Sequence, residues 1–160
     1  MKKIIPILII IVFITLASCS KKEDMITPAD QLKLDIALIQ GYLASNNLTA
    51  QRTNSGLHYI ITEEGTGVDK PTINHRVTVN YIGYYLDTKE VFDQSRTGSP
   101  LTILLAHTIN GWIEGIPLFS KGAKGILLIP SGLAYGPFPP SGVKPNAVMI
   151  FEIELLDFFR

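Results

Sequence analysis

Residues that carry covalent or metal chemistry are scarce in this chain. Its 160 residues include one cysteine and three histidines. The histidines are scattered, with no i, i+4 pair and no cysteine companion, so their spacing does not predict a metal site. No glycine-rich loop followed by a lysine opens a helix, and no serine lies in a nucleophile elbow. If the protein is an enzyme, it works without covalent or metal chemistry, and the sequence predicts no cofactor.

The chain also lacks an excess of charge of either sign. Fourteen Lys and Arg residues balance fourteen Asp and Glu residues, and they are interspersed without a basic stripe. Domains that bind nucleic acid usually concentrate positive charge on one face. The composition therefore argues against nucleic acid as a partner. No internal repeat is present, and no low-complexity segment separates a second domain.

The single cysteine follows an apolar N-terminal segment. Residues 4–16 are almost entirely apolar; the run is too short for a bilayer span of about 20 residues and matches the apolar region of a secretory signal, about 7–15 residues. The sequence Leu16-Ala17-Ser18-Cys19 resembles the lipobox of bacterial lipoproteins. The resemblance implies that residues 1–18 are a signal peptide and that Cys19 is lipidated. The alternative is a small residue near an ordinary cleavage site.

Residues 19–27 are predicted to be a tether between the lipid and the folded part. The charged run 20–24 is either a solvated spacer or an address, since Lys22-Glu23-Asp24 is similar to a surface-export signal of some Bacteroidetes lipoproteins. We expect an exported, membrane-anchored lipoprotein of the cell envelope, at the outer membrane, facing the periplasm or at the surface.

Residues 28–54 are predicted to form a helical extension. Thr27 is suited to cap a helix, Pro28 to its first position, and Asp30 to its positive end. Apolar residues then recur at helical spacing, and the helix is expected to end at Asn46-Asn47. The apolar stripe comprises Leu32, Ile36, Leu38, Ile39, Tyr42 and Leu43. A lone amphipathic helix is not stable in water, so it packs on the domain, on a second copy as a homodimer, or on a partner in an envelope complex.

The sequence of residues 55–160 predicts mainly strands. We predict strands at 57–62, 76–86, 91–92, 101–105, 123–129 and 147–158, and a short helix at 109–116. Several strands and one short helix indicate an α+β layout, with an antiparallel sheet packed on a helix. The long Pro- and Gly-rich loop 130–145 is of the kind that usually carries function.

Six blocks in this region resemble the FKBP-type peptidyl-prolyl cis-trans isomerases, in order and approximate spacing. The blocks are 77–83 (VTVNYIG), 91–95 (VFDQS), 109–115 (INGWIEG), 121–124 (KGAK), 129–136 (IPSGLAYG) and 145–156 (PNAVMIFEIELL). The resemblance implies an antiparallel β-sheet half-wrapped around one short helix, here preceded by the amphipathic helix. It also implies rotation of X–Pro bonds in Pro-containing polypeptide clients, a reaction that requires no nucleophile.

The same resemblance implies a substrate pocket between sheet and helix. Carried over position by position, the pocket is lined by Tyr81, Phe92, Trp112, Tyr135 and Phe151. Trp112 forms its floor, Asp93 borders it, Ile109 offers a backbone N–H, and Val143 closes one side. We expect Tyr135 to donate its hydroxyl to a substrate carbonyl and Asp93 to orient its neighbours.

The chain also departs from the family pattern. Leu101 stands where the family often has an aromatic residue, the segment between Asp93 and Trp112 is shorter than in many members, and Lys144 interrupts the expected isoleucine-proline-proline. These departures bear on substrate preference and macrolide binding more than on the fold. The competing interpretation is a domain of the same fold that serves as a binding or chaperone module with little catalytic activity.

Overall fold

The structure, a computed structural model, describes residues 26–96 and 98–160. The predicted signal peptide, the lipidation site Cys19 and the tether up to residue 25 lie outside the described residues. Among the helices that are described, none is both long and apolar enough to cross a membrane.

The first element is helix α1, Pro28–Ser45, and it begins as its sequence predicts. The Thr27 hydroxyl accepts a hydrogen bond from the Asp30 N–H at 3.1 Å, and Pro28 occupies the first turn. Asn46 caps the other end, where its side-chain amide donates to the Tyr42 carbonyl. These caps satisfy backbone groups that the helix itself leaves without partners.

An antiparallel sheet of seven strands follows. Its strands are β1 Gln51–Arg52, β2 His58–Glu63, β3 Arg76–Tyr85, β4 Val91–Gln94, β5 Leu101–Leu104, β6 Lys124–Ile129 and β7 Met149–Phe159. They are ordered β1-β2-β6-β7-β3-β4, and β5 pairs with the same edge of β3 as β4 does. The fold is α+β, and the prediction of an antiparallel sheet around a short helix is confirmed.

The two faces of the sheet bury different residues because side chains alternate along a strand. On β6 and β7, Leu127 and Phe151 belong to the inner core around the short helix α2, Asn110–Gly115. Their strand neighbours Leu128 and Ile150 belong to an outer core with Ile39 and Leu43 of α1. The sheet is therefore covered by α2 inside and α1 outside, which explains why the 126–129 run is apolar on both faces.

Helix α2 lies close to β6 because two glycines face the strand. A Cβ placed on Gly111 would lie 2.5 Å from Cγ2 of Ile129, and one on Gly115 would lie 2.6 Å from Cδ1 of Leu127. Real Cβ atoms do not approach other atoms so closely. The absence of side chains at both positions sets the height of α2 above the sheet, and with it the position of Trp112.

The apolar stripe of α1 differs from the predicted one. Ile39 is fully buried, but Leu38 is 52% exposed. Asp35, one turn before Ile39, takes a buried place instead. Residues four apart share a helix face whereas adjacent residues do not, so Leu38 points away when Ile39 points inward. Strand β1, which pairs with the first residues of β2, was also absent from the predicted elements.

Candidate active site

A cavity of about 370 Å³ opens between the inner face of the sheet and α2. It is where a pocket was expected, and most of the predicted site residues meet there although they come from separate segments of the chain. The predicted residues that line it are Tyr81, Asp93, Leu101, Ile109, Trp112, Tyr135 and Phe151. The cavity thus combines an aromatic wall with a polar rim.

Three aromatic rings meet at the base of the cavity, where Tyr81 and Phe151 each pack edge to face against Trp112. The ring centroids of Tyr81 and Trp112 are 5.1 Å apart with planes at 88°, and those of Trp112 and Phe151 are 5.3 Å apart at 80°. Edge-to-face contacts at this separation are favourable for aromatic side chains. Trp112 is 4% exposed. The three rings form an apolar seat.

Gly83 allows the aromatic wall to lie against the sheet. Gly83 pairs with Phe151 in β7 and with Asp93 in β4. A Cβ at this position would lie 2.7 Å from Phe151 Cε1 and 3.0 Å from Phe92 Cζ. A side chain here would displace both rings, so this glycine serves close packing rather than a turn.

Phe92 and Val143 do not line the cavity. The Phe92 ring lies behind the wall, 5.6 Å from the ring of Phe151 and 5.0 Å from that of Tyr85. Val143 packs against the inner core as a half-buried side chain. Phe92 is therefore placed to hold Phe151, and Val143 lies in the loop whose other end carries Tyr135.

The polar rim is organised by Asp93. The Tyr81 hydroxyl donates to Asp93 Oδ2 at 2.7 Å, and the Gln94 N–H donates to Oδ1 at 2.9 Å. Burial, followed by the hydrogen bond and charge of Asp93, raises the pKa of Tyr81 well above its usual range. Burial and the Asp93 charge also raise the pKa of Tyr135. A tyrosine already keeps its proton at neutral pH, and these upward shifts in pKa reinforce that state, so both phenols are present as O–H donors.

Tyr135 and Ile109 present donors at the mouth of the cavity. Tyr135 is 37% exposed, and no hydrogen bond joins its hydroxyl to another described residue. Ile109 precedes α2, where its carbonyl accepts from Trp112 and Ile113, while its own N–H has no acceptor among the described residues. An apolar ring with a neighbouring carbonyl would find a seat and two donors here.

Three residues of the lining were missed by the sequence interpretation: Ile103, His107 and Thr108. Ile103 shares the inward side of β5 with Leu101, so strand alternation was a signal that could have identified it. His107 ends a one-turn 3-10 helix, Leu105–His107, that turns the chain towards α2. Nothing in the sequence around His107 indicates that turn.

Both the sequence and the fold match a known family. The family model described as FKBP-type peptidyl-prolyl cis-trans isomerase matches residues 67–156, more than half of the chain. The FKBP-type peptidyl-prolyl cis-trans isomerase FkpA of Escherichia coli strain K12 is 43% identical over 106 residues, which are 66% of this chain and 38% of that protein. FkpA of Buchnera aphidicola (Schizaphis graminum) is 38% identical over 124 residues, 75% of this chain and 49% of that protein.

Two solved structures have the same fold as this chain. The crystal structure of FkpA from Escherichia coli superposes with a TM-score of 0.68 at 34% identity, covering 81% of this chain and 63% of that one. A peptidyl-prolyl cis-trans isomerase from Pseudomonas syringae superposes with a TM-score of 0.70 at 31% identity, covering 84% of this chain and 97% of that one. The chain spans half or less of the length of the two curated relatives described above. It belongs to the FKBP-type peptidyl-prolyl cis-trans isomerase family.

Proposed function

We propose that the protein accelerates cis-trans rotation of X–Pro bonds in exported or envelope polypeptides. The observation that carries the proposal is the apolar seat of Tyr81, Trp112 and Phe151 beneath two available donors. Uncatalysed rotation has a barrier of about 18–20 kcal/mol and takes tens to hundreds of seconds. A site for this reaction must favour the twisted amide over the planar one.

The cavity favours the twisted amide by keeping water away from it and by offering hydrogen-bond donors to the substrate. Resonance polarises the planar amide, and twisting returns electron density to nitrogen and lowers the polarity of the carbonyl. Water solvates the planar form better, so a water-poor aromatic seat favours the twisted form. A gain of about five decades in rate would need roughly 7 kcal/mol of such differential binding, which desolvation and one or two oriented hydrogen bonds can supply.

Each residue then has a defined part. The proline ring enters between the three aromatic rings, with Leu101 as a softer wall where the family often has an aromatic residue. The Ile109 N–H and the Tyr135 hydroxyl donate to substrate carbonyls. Asp93 fixes the Tyr81 hydroxyl and supplies a negative field beside the reacting bond. In this scheme Phe92 supports Phe151, and contact of Val143 with the client chain stays a prediction, because its side chain packs on the inner core and does not line the cavity.

The direct test is a protease-coupled assay with a chromogenic X–Pro tetrapeptide and the full-length protein. We expect the rate constant for cis-to-trans conversion to rise linearly with protein concentration. Bovine serum albumin at the same concentration serves as the control for nonspecific effects. Rates equal to those with the control would overturn the proposal.

A second candidate function is client binding with little catalysis. It is favoured by a separate cavity of about 600 Å³ between α1 and the 130–145 loop, whose lining includes no charged residue. Phe138, in that lining, is 89% exposed, and Gly136 of the same lining adjoins Tyr135. An extended apolar segment of a client fits such a surface. The tetrapeptide is too short to need it, so binding of an unfolded protein without tetrapeptide turnover would favour this function.

We also propose that the protein is anchored to an envelope membrane through Cys19. The support is the apolar segment and the lipobox-like sequence that ends at this cysteine. Stable anchoring takes more than one acyl chain, and the lipoprotein modification provides several. The anchor would hold the isomerase domain beside polypeptides that have just crossed the membrane.

Mass spectrometry of the protein purified from bacterial membranes tests the anchor. We expect the mature chain to begin at Cys19 with the added mass of acyl and glyceryl groups. The variant Cys19→Ser is expected to lose this mass and the membrane association with it. An unmodified Cys19, or a chain that still begins at Met1, would contradict the proposal.

A further inference from the structure

Helix α1 contributes a buried carboxylate that the proposed mechanism does not use. Asp35 is 1% exposed and is the one buried acidic side chain among the residues that the structure describes. Its Oδ2 accepts two hydrogen bonds from Ser131, one from the N–H at 2.8 Å and one from the hydroxyl at 2.6 Å. Its Oδ1 accepts from the Gln31 side-chain amide at 2.8 Å.

Ser131 in turn holds both sides of Tyr135. The Ser131 carbonyl accepts hydrogen bonds from the Ala134 N–H at 3.0 Å and from the Gly136 N–H at 2.9 Å. The Gly136 carbonyl accepts from the Asn146 N–H at 2.8 Å, which ties the same turn to the far end of the loop. The two backbone donors that flank Tyr135 therefore converge on one oxygen, in a residue that Asp35 holds.

Docking of α1 alone does not explain a carboxylate at this place. Ile39 and Leu43 already attach the helix to the outer face of the sheet, and an apolar residue would extend that contact. A buried carboxylate is costly unless donors surround it, and its bonds are directional. Asp35 therefore fixes where Ser131 stands relative to α1, which burial of an apolar side chain would not do.

We propose that Asp35 is a positioning residue of the isomerase site, acting through Ser131 on the turn that carries Tyr135. The inference rests on the proposed function, and it makes α1 part of the catalytic unit. Asp35 does not line the cavity between the sheet and α2. Its effect on turnover is limited to what the placement of the Tyr135 hydroxyl contributes.

A double-mutant cycle separates this role from a general structural one. Displacing a catalytic group by about 1 Å can cost up to a hundredfold in rate, and we expect Asp35→Ala to lower kcat/KM by about tenfold. In a Tyr135→Phe background the same change should have no further effect, because the hydroxyl is already gone. Ser131→Ala, which keeps the backbone N–H, should give a smaller loss. Equal losses from Asp35→Ala in both backgrounds would overturn the proposal.

Fluorine NMR gives a readout independent of turnover. In protein labelled with 3-fluorotyrosine, the Tyr135 resonance is the one missing from Tyr135→Phe. Asp35→Ala should shift or broaden it, whereas Ile39→Val, which trims the packing of α1 without touching Ser131, should leave it in place. An unmoved resonance in folded Asp35→Ala overturns the inference. If the wild-type protein is inactive, the proposed function fails, and this resonance alone decides whether Asp35 positions Tyr135.

Discussion

Replacing Asp93 by alanine is expected to lower kcat/KM on an X–Pro tetrapeptide by about tenfold to a hundredfold while leaving the domain folded. The Tyr81 hydroxyl donates to this carboxylate at 2.7 Å, and hydrogen bonds to charged groups are worth about 1.5–3 kcal/mol. Each 1.4 kcal/mol lost from transition-state binding is about a tenfold loss in rate. The Tyr81 ring is packed against Trp112, so without Asp93 only its O–H bond turns, and the hydroxyl then binds water beside the seat of the proline ring.

The carboxylate acts through both its hydrogen bond and its charge, and Asp93→Asn separates the two. The amide oxygen can still accept from Tyr81, so a small loss in Asp93→Asn assigns the effect to the hydrogen bond. A loss as large as in Asp93→Ala assigns it to the charge. Asp69→Ala, at an exposed acid outside the cavity, is the matched control and should be neutral.

The Asp93 variants also test the placement of the whole site when Phe92→Ala is measured beside them. Phe92 supports Phe151 from behind, so its removal should let the wall relax and lower kcat/KM as well. Circular dichroism and thermal melting establish that each variant is folded at the assay temperature. Wild-type activity in both Asp93→Ala and Phe92→Ala would refute the assigned site.

The centre of the site was predictable because the types and spacing of its residues indicate which side of each element faces inward. Tyr81 follows Val77 and Val79 at a period of two, so the alternation of residues alone indicates the inward face of β3. Trp112 lies in a short helix bracketed by Gly111 and Gly115, whose close approach to β6 also fixes its height. The resemblance to a family then linked these separate segments into one pocket.

The parts that were not predictable depend on contacts between distant segments. Asp35 and Ser131 are 96 residues apart, and an acid in an amphipathic helix is ordinarily read as part of its solvated face. The position of Phe92 behind Phe151, rather than in the cavity, follows from the pairing of β3 with both β4 and β7. The periodicity of a strand predicts which of its sides is buried. It does not predict whether a buried ring lines the cavity or packs behind another ring.

Helix α1 covers the outer face of the sheet, so truncating one of its buried side chains is expected to lower the stability of the domain strongly. Ile39 is fully buried against Leu128 and Ile150 on the outer face. Ile39→Ala is expected to lower the free energy of unfolding by about 2–5 kcal/mol, the usual cost of truncating a buried aliphatic side chain to alanine. The cavity left behind also weakens the contact that keeps the rest of α1 in place. Urea unfolding followed by circular dichroism measures the change.

The adjacent residue provides a matched control, because Leu38 and Ile39 share a helix turn but face different ways. Leu38 is 52% exposed, so Leu38→Ala should change the free energy of unfolding by about 0.5 kcal/mol or less. The sequence left open whether α1 packs on its own domain, on a second copy or on a partner. A large cost for Ile39→Ala and none for Leu38→Ala, both independent of protein concentration, identifies the domain as the surface that α1 needs. If Leu38→Ala costs more, or if its cost grows with protein concentration, then the outward face of α1 is buried between copies, and the helix stabilises a dimer as well as the domain.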